Sequence, residues 1–212
     1  DSWSSNPTRE AWAQEGLIQV AFDHRASGHF GKEGVNYMYR DLGHWEMEDY
    51  MTMAKWFIAN GQADPTKIAI TGFSYGGYMS AYALTYGASV FTHAMAGGSV
   101  TAWELYDSHY TERFMDTPAE NPEGYKSSNV MTHLKNFKGV LQLVHGTMDD
   151  NVHMQNSIQL LSALQEQGKP VEFMLYPGGR HGWGGAKGKH FTDLKNQFIY
   201  KHLLEKAMPA SK

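Results

Sequence analysis

Apolar residues along the chain gather at two spacings that alternate from one end to the other. In Leu17-Ile18-Gln19-Val20-Ala21-Phe22, Lys67-Ile68-Ala69-Ile70-Thr71 and Val140-Leu141-Gln142-Leu143-Val144-His145 they crowd into consecutive positions. Such compact blocks, bounded by polar or glycine-rich stretches, predict buried strands over 17–22, 67–71 and 140–145, with further strands over 91–96 and 170–176. Elsewhere the apolar positions spread out to one face of a helix. Met47, Tyr50, Met51, Ala54, Phe57 and Ile58 predict a helix over 46–60. Similar spacing predicts helices over 77–86, 103–115, 156–167 (stopped by Gly168) and 190–205. A first helix over 7–15 would have Asn6 as its N-cap, Pro7 at its first position and Gly16 as its stop. The remainder reads as connection: a polar, glycine-rich loop over 23–31, a tight turn over 72–77, a turn-rich connector over 118–122, a glycine-rich loop over 177–188 and a frayed tail over 208–212.

Strands and helices that alternate through short connections form βαβ crossovers. The expected fold class is therefore α/β: a mostly parallel, doubly wound sheet with helices on both faces. No repeat or linker divides the 212 residues, so a single domain with a real core is expected over 1–212. Apolar residues at 42% and charged residues at 19% are ordinary for a soluble globular protein. A net charge of -4 without a dense basic stripe argues against nucleic acid as the main partner. The apolar blocks stay far short of the roughly 18 residues of a membrane span, and no basic start followed by an apolar core marks a signal peptide. Cysteine is absent, which removes disulfides, zinc-thiolate sites and cysteine nucleophiles.

The chemistry begins at Gly72-Phe73-Ser74-Tyr75-Gly76-Gly77. Gly-x-Ser-x-Gly alone is a weak signal. Here it follows a predicted strand and opens a predicted helix, the context in which a serine hydroxyl is lifted above the strand ends as a nucleophile. Gly72, Gly76 and Gly77 would supply room for strand and helix to approach. The N–H of Tyr75, at a helix N-terminus, is placed to stabilise an oxyanion. The plain alternative is a glycine-rich turn used only for packing.

A serine nucleophile needs a base and an orienting acid. In this kind of fold the chain order is serine, acid, histidine, each past a strand. Asp149 and Asp150, in the loop after the strand over 140–145, are both acid candidates. One is expected to face the imidazole, the other to serve the turn and the N-cap of the next helix. Of the histidines beyond them, His153 is too near in sequence and His190 and His202 fall on a helix. His181, in Gly178-Gly179-Arg180-His181-Gly182 after the last strand, is the base by position. A metal set of His145, Asp149, Asp150 and His153 matches no helix-borne zinc motif, and 184–189 lacks the Gly-Lys-Ser/Thr ending of a phosphate loop. No metal and no cofactor is expected.

Gly72-Phe73-Ser74-Tyr75-Gly76-Gly77-Tyr78, Trp103-Glu104-Leu105-Tyr106-Asp107-Ser108, Tyr110-Thr111-Glu112-Arg113 and His145-Gly146-Thr147-Met148-Asp149-Asp150-Asn151-Val152-His153, in that order, resemble the catalytic domain of the prolyl oligopeptidase family of serine peptidases, in its dipeptidyl peptidase branch. The resemblance runs from about Leu17 to the last predicted helix. It implies an α/β-hydrolase fold with Ser74 as nucleophile, Asp149 rather than Asp150 as acid and His181 as base. It also implies a proline-sized pocket of Val100, Trp103, Tyr106, Tyr110 and Val152, with Asn151 and Arg113 holding substrate carbonyls. Trp103, Tyr106 and Tyr110 stand at i, i+3 and i+7, one face of the helix predicted over 103–115. That face could equally be core, and Arg113 could equally form a structural ion pair.

The implied substrates are peptides with proline or alanine next to the N-terminal residue. The implied parent is a secreted or periplasmic exopeptidase, as a homodimer. Other members carry an N-terminal β-propeller and an earlier part of the hydrolase domain, with a tyrosine that is the second oxyanion donor; neither is expected in these residues. The chain also has His24 and Ala26 where the family usually has glycine. An acylaminoacyl peptidase or esterase on the same fold, an inactive isolated fragment and a non-catalytic interaction domain are the competing readings.

Overall fold

The computed structural model of the protein describes residues 6–209. The helix expected at the start is present as α1 (Pro7–Gln14). Asn6 caps it through its side-chain oxygen, which accepts the N–H groups of Thr8 and Arg9 at 3.0 and 3.2 Å. The loop over 23–31 leads into a short helix that no periodicity signalled, α2 (Gly31–Asn36). The long helix α3 (His44–Ala59) begins two residues before its first predicted position, because Glu46 reaches back to the Gly43 N–H at 3.2 Å. Strand β1 (Ala69–Phe73) and helix α4 (Tyr75–Ala83) then meet at a single residue, Ser74. The next strand is β2 (His93–Gly97).

The single helix predicted over 103–115 is two elements. A 3-10 turn over Trp103–Leu105 is followed by α5 (Ser108–Met115). Asp107 separates them by accepting the Tyr110 N–H at 2.8 Å as an N-cap, a local preference that the apolar spacing does not register. Helix α6 (Pro122–Ser128) was not predicted, although Asn121-Pro122 repeats the Asn6-Pro7 start and Asn121 accepts the Gly124 N–H at 3.1 Å. A 3-10 stretch over Val130–Asn136 follows. Strand β3 (Val140–Gly146), helix α7 (Gln155–Glu166) and strand β4 (Glu172–Tyr176) lie close to their predicted places. Helix α8 (Gly185–Phe198) starts inside the loop predicted over 177–188 and continues as a π-helical stretch over Ile199–Leu204. Of the frayed tail expected over 208–212, residues 210–212 lie outside the described residues.

All four strands are parallel, in the order β1-β2-β3-β4. Alternate residues serve alternate faces, as the pleat requires. Ile70, Ala94, Ala96, Leu141, Leu143 and Phe173 pack with Met79 and Tyr82 of α4 and Leu160 and Leu164 of α7. Met95, with Ala69 and Val140, packs on Phe198, Ile199 and Leu203, joined by Trp12 of α1. Helices therefore cover both faces, as expected for this fold class. No helix among the described residues is long and apolar enough to cross a membrane.

The strand predicted over 17–22 is not formed. Ile18 and Val20 are 60% and 52% exposed, and Leu17 only leans on the cluster around Phe198. A run of β-favouring residues becomes a strand only where a ladder accepts it. The sheet edge β1 pairs with β2 alone and does not take up this run.

Candidate active site

In a parallel sheet every strand delivers its following loop to the same end. The loops after β1, β3 and β4 carry Ser74, Asp149 and His181, and the three side chains meet there. Ser74 Oγ lies 2.8 Å from His181 Nε2, and His181 Nδ1 lies 2.8 Å from Asp149 Oδ2. Since the carboxylate can only accept, Nδ1 carries the proton and Nε2 faces the hydroxyl as an acceptor.

Ser74 has φ 61° and ψ -119°, a left-handed conformation that costs a non-glycine residue roughly 1–3 kcal/mol. A bond to the next strand and one within the helix hold it there: its N–H donates to the Gly97 carbonyl at 2.8 Å, and its carbonyl accepts the Tyr78 N–H of the first turn of α4 at 2.9 Å. Two of the three glycines expected to make room do so. A Cβ on Gly72 would lie 2.6 Å from the Gly76 Cα, and one on Gly77 would collide with the Gly97 carbonyl. Gly76 is different, because a Cβ there would meet open space. Tyr75 is the first residue of α4, so its N–H belongs to the helix's free first turn. Its phenol donates to the buried Glu46 carboxylate. Burial, together with that carboxylate, pushes the phenol well above the usual tyrosine range.

The two aspartates part company. Asp149 has a fully buried carboxylate, with Oδ1 accepting the N–H groups of Asn151 and Val152 at 3.1 and 2.9 Å. It thus faces the imidazole and also closes its own turn. Asp150 is exposed and pairs with Arg180 at 2.8 Å. It does not cap α7 as expected; the residue before α7 is Met154, which makes no side-chain cap. The loops that carry Asp149 and His181 are tied together directly, the Met148 N–H donating to the Gly179 carbonyl at 2.9 Å. Trp183 stacks on Tyr176 at 4.1 Å, and Phe73 lies 5.3 Å from the His181 ring.

Trp103, Tyr106 and Tyr110 stay together although they do not share one helix. Trp103 stacks on Tyr110 at 6.0 Å, and Tyr106 meets Tyr110 edge-on at 5.4 Å. Tyr75 closes the group, 5.5 Å from Trp103. Trp103 is 1% exposed, and Val100 and Val152 are buried in the same cluster, so they form its floor. The two tyrosines are half-buried. Tyr106 donates its hydroxyl to Asn151 Oδ1 at 2.7 Å, which joins the aromatic group to the loop that carries Asp149. Arg113 lies on the exposed side of α5 and bonds His109 Nε2 at 2.8 Å, and among the described residues no ion pair to it is formed. A cavity of about 210 Å³ lies on the other sheet face, against Met95, Gln142, Phe191 and Lys195. Among the described residues no group of three or more histidine, aspartate or glutamate side chains is placed so that it could hold a metal ion.

Sequence reasoning gave His145 a place only in a rejected metal set. The structure buries it beside Asp149, with Nε2 3.3 Å from Oδ2. The available signal was a lone histidine ending the most apolar strand. Burial holds both His145 and His93 below the ordinary histidine value. Both are therefore neutral when folded and free to charge when unfolded. Below about pH 6.5 the unfolded chain binds more protons, so stability falls as pH is lowered from there toward the folded values. Urea unfolding at about pH 5.5 is expected to show a lower midpoint than at about pH 7.5; equal midpoints would contradict buried, neutral histidines.

A family model described as the prolyl oligopeptidase family matches residues 3–206. The chain belongs to the prolyl oligopeptidase family. Among the relatives of this serine peptidase family, it is 39% identical to dipeptidyl peptidase 4 of Sus scrofa over 203 residues, which are 92% of this chain and 26% of that protein. It is 40% identical to prolyl endopeptidase FAP of Homo sapiens over 190 residues, 88% of this chain and 25% of that protein. The crystal structure of Porphyromonas gingivalis dipeptidyl peptidase 4 matches with a TM-score of 0.83 and 36% identity, over 85% of this chain and 26% of that one. The fold is the α/β-hydrolase fold of such relatives. The chain spans about a quarter of the length of the curated relatives it matches.

Proposed function

We propose that these residues form the catalytic part of a serine exopeptidase that releases N-terminal dipeptides after proline or alanine. The observation that carries the reading is the unbroken relay from Ser74 Oγ through both nitrogens of His181 to Asp149, each link 2.8 Å. Ser74 attacks the scissile carbonyl, and His181 takes the hydroxyl proton and returns it to the leaving amine. Asp149 keeps Nδ1 protonated and offsets the imidazolium charge. The Tyr75 N–H receives the developing oxyanion. The half-buried faces of Tyr106 and Tyr110 over the Trp103 floor suit a proline ring, and Asn151 stands at their edge to meet a substrate carbonyl.

Labelling with a fluorophosphonate probe tests the nucleophile. Wild type is expected to be labelled at one serine, and Ser74→Ala to lose labelling entirely. Equal labelling of the Ser74→Ala variant would refute the assignment. An acylaminoacyl peptidase or esterase is the second reading; the aromatic group favours an Xaa-Pro substrate over it. Faster turnover of simple esters than of any Xaa-Pro amide would reverse that preference.

A further inference from the structure

His145 stands in β3, and its ring is fully enclosed. Its two nitrogens meet different chemistry. Nε2 lies 2.8 Å from the Val152 carbonyl oxygen and 3.3 Å from Asp149 Oδ2. Both partners only accept, so Nε2 carries a proton. Nδ1 lies 2.7 Å from Ser157 Oγ on α7, a hydroxyl able to donate to a bare nitrogen. A single neutral tautomer satisfies all three partners, and burial disfavours a second proton. The titratable groups acting on the ring are Asp149, from the loop after β3, and His181, from the loop after β4; α7 presents the Ser157 hydroxyl.

Asp149 Oδ2, which faces His145, is also the oxygen that accepts the His181 Nδ1 proton. Val152 is gripped from both sides: its N–H donates to Asp149 Oδ1, and its carbonyl accepts from His145. Its side chain lies in the buried cluster that holds Val100 and Trp103. Asp149, which meets His181, and the floor of the aromatic group thus share one imidazole as a strut.

We propose that His145 is a positioning residue, whose Nε2–H holds the Asp149 carboxylate and the Val152 carbonyl in a single arrangement, braced on α7 through Ser157. It touches no reacting atom. This role rests on the reading of Ser74, His181 and Asp149 as a relay.

Two substitutions of similar polarity separate positioning from packing. In His145→Gln the amide nitrogen reaches toward the Nε2 position, whereas in His145→Asn it reaches only toward Ser157. Fluorophosphonate labelling is expected to stay within about threefold of wild type for His145→Gln and to fall by about tenfold or more for His145→Asn, at similar melting temperatures. Long-range proton–nitrogen NMR of the wild-type chain, with the His145 signals assigned by their loss in His145→Gln, is expected to show Nε2 protonated and Nδ1 bare at neutral pH. This readout needs no turnover, so it decides even where labelling is slow. Equal labelling of the two variants, or a His145 ring protonated at Nδ1, overturns the proposal. Undiminished labelling of Ser74→Ala would overturn the relay instead and leave the tautomer result standing.

Discussion

Asp149→Asn is expected to slow fluorophosphonate labelling of Ser74 by about 10³–10⁴-fold while the chain still folds. The reason is a count of donors. The Asp149 carboxylate accepts two backbone N–H groups on Oδ1, while Oδ2 takes the His181 Nδ1–H and faces His145 Nε2. An amide offers one oxygen only. Turned toward the Asn151 and Val152 N–H groups, it presents its NH₂ to His181, whose Nδ1 must then lose its proton to accept. The proton moves to Nε2, and that nitrogen can no longer take the one on Ser74. Turned the other way, it sets NH₂ against two backbone donors, a loss of roughly 1–3 kcal/mol for the group left unpaired. Asp150→Asn is the control, since its partner is the exposed Arg180. A fall of less than about tenfold in Asp149→Asn would remove Asp149 from the relay.

Gly77→Ala is expected to lower stability by about 2 kcal/mol and melting by roughly 4–8 °C, although alanine is the better helix former. Its Cβ would overlap the Gly97 carbonyl and lie 2.5 Å from Ser99 Oγ. The Gly97 oxygen also accepts the Ser74 N–H, so relieving the clash moves the strained Ser74 backbone. Labelling should fall with stability. Gly76→Ala makes the opposite case on the neighbouring residue. Open space surrounds that position, and the change should stabilise the chain by about 0.5–1 kcal/mol. Thermal unfolding of the pair checks both; a Gly77→Ala chain as stable as Gly76→Ala would show that helix and strand do not need the close approach.

The βαβ pattern was legible because it rests on local periodicity. β3 and α7 bury one consistent pattern each, and their predicted ranges lie within a residue or two of the observed ones. Misreadings occurred where a single side chain overrode the pattern. Asp107 split a helix by capping its second half. Asn121 started a helix within a stretch read as turn-rich. The run over 17–22 has the composition of a strand, but pairing is a property of two segments, and no strand of the described sheet takes it up.

The candidate site divides along the same line. The amino-acid sequence by itself marked a nucleophile candidate in the turn at Ser74, acid candidates at Asp149 and Asp150 and a base candidate at His181, because strand ends and glycine turns are short-range signals. Which aspartate faces the imidazole is a tertiary matter. Asp149 is enclosed under two backbone N–H groups and beside His181, whereas Asp150 is turned out to Arg180. The union of Trp103, Tyr106 and Tyr110 across a broken helix, the bond from Tyr106 to Asn151 and the wedge of His145 under Asp149 are likewise decided only in the folded chain. Each joins residues from separate loops, and no pattern along the chain encodes the distance between two loops until the parallel sheet has brought their ends together.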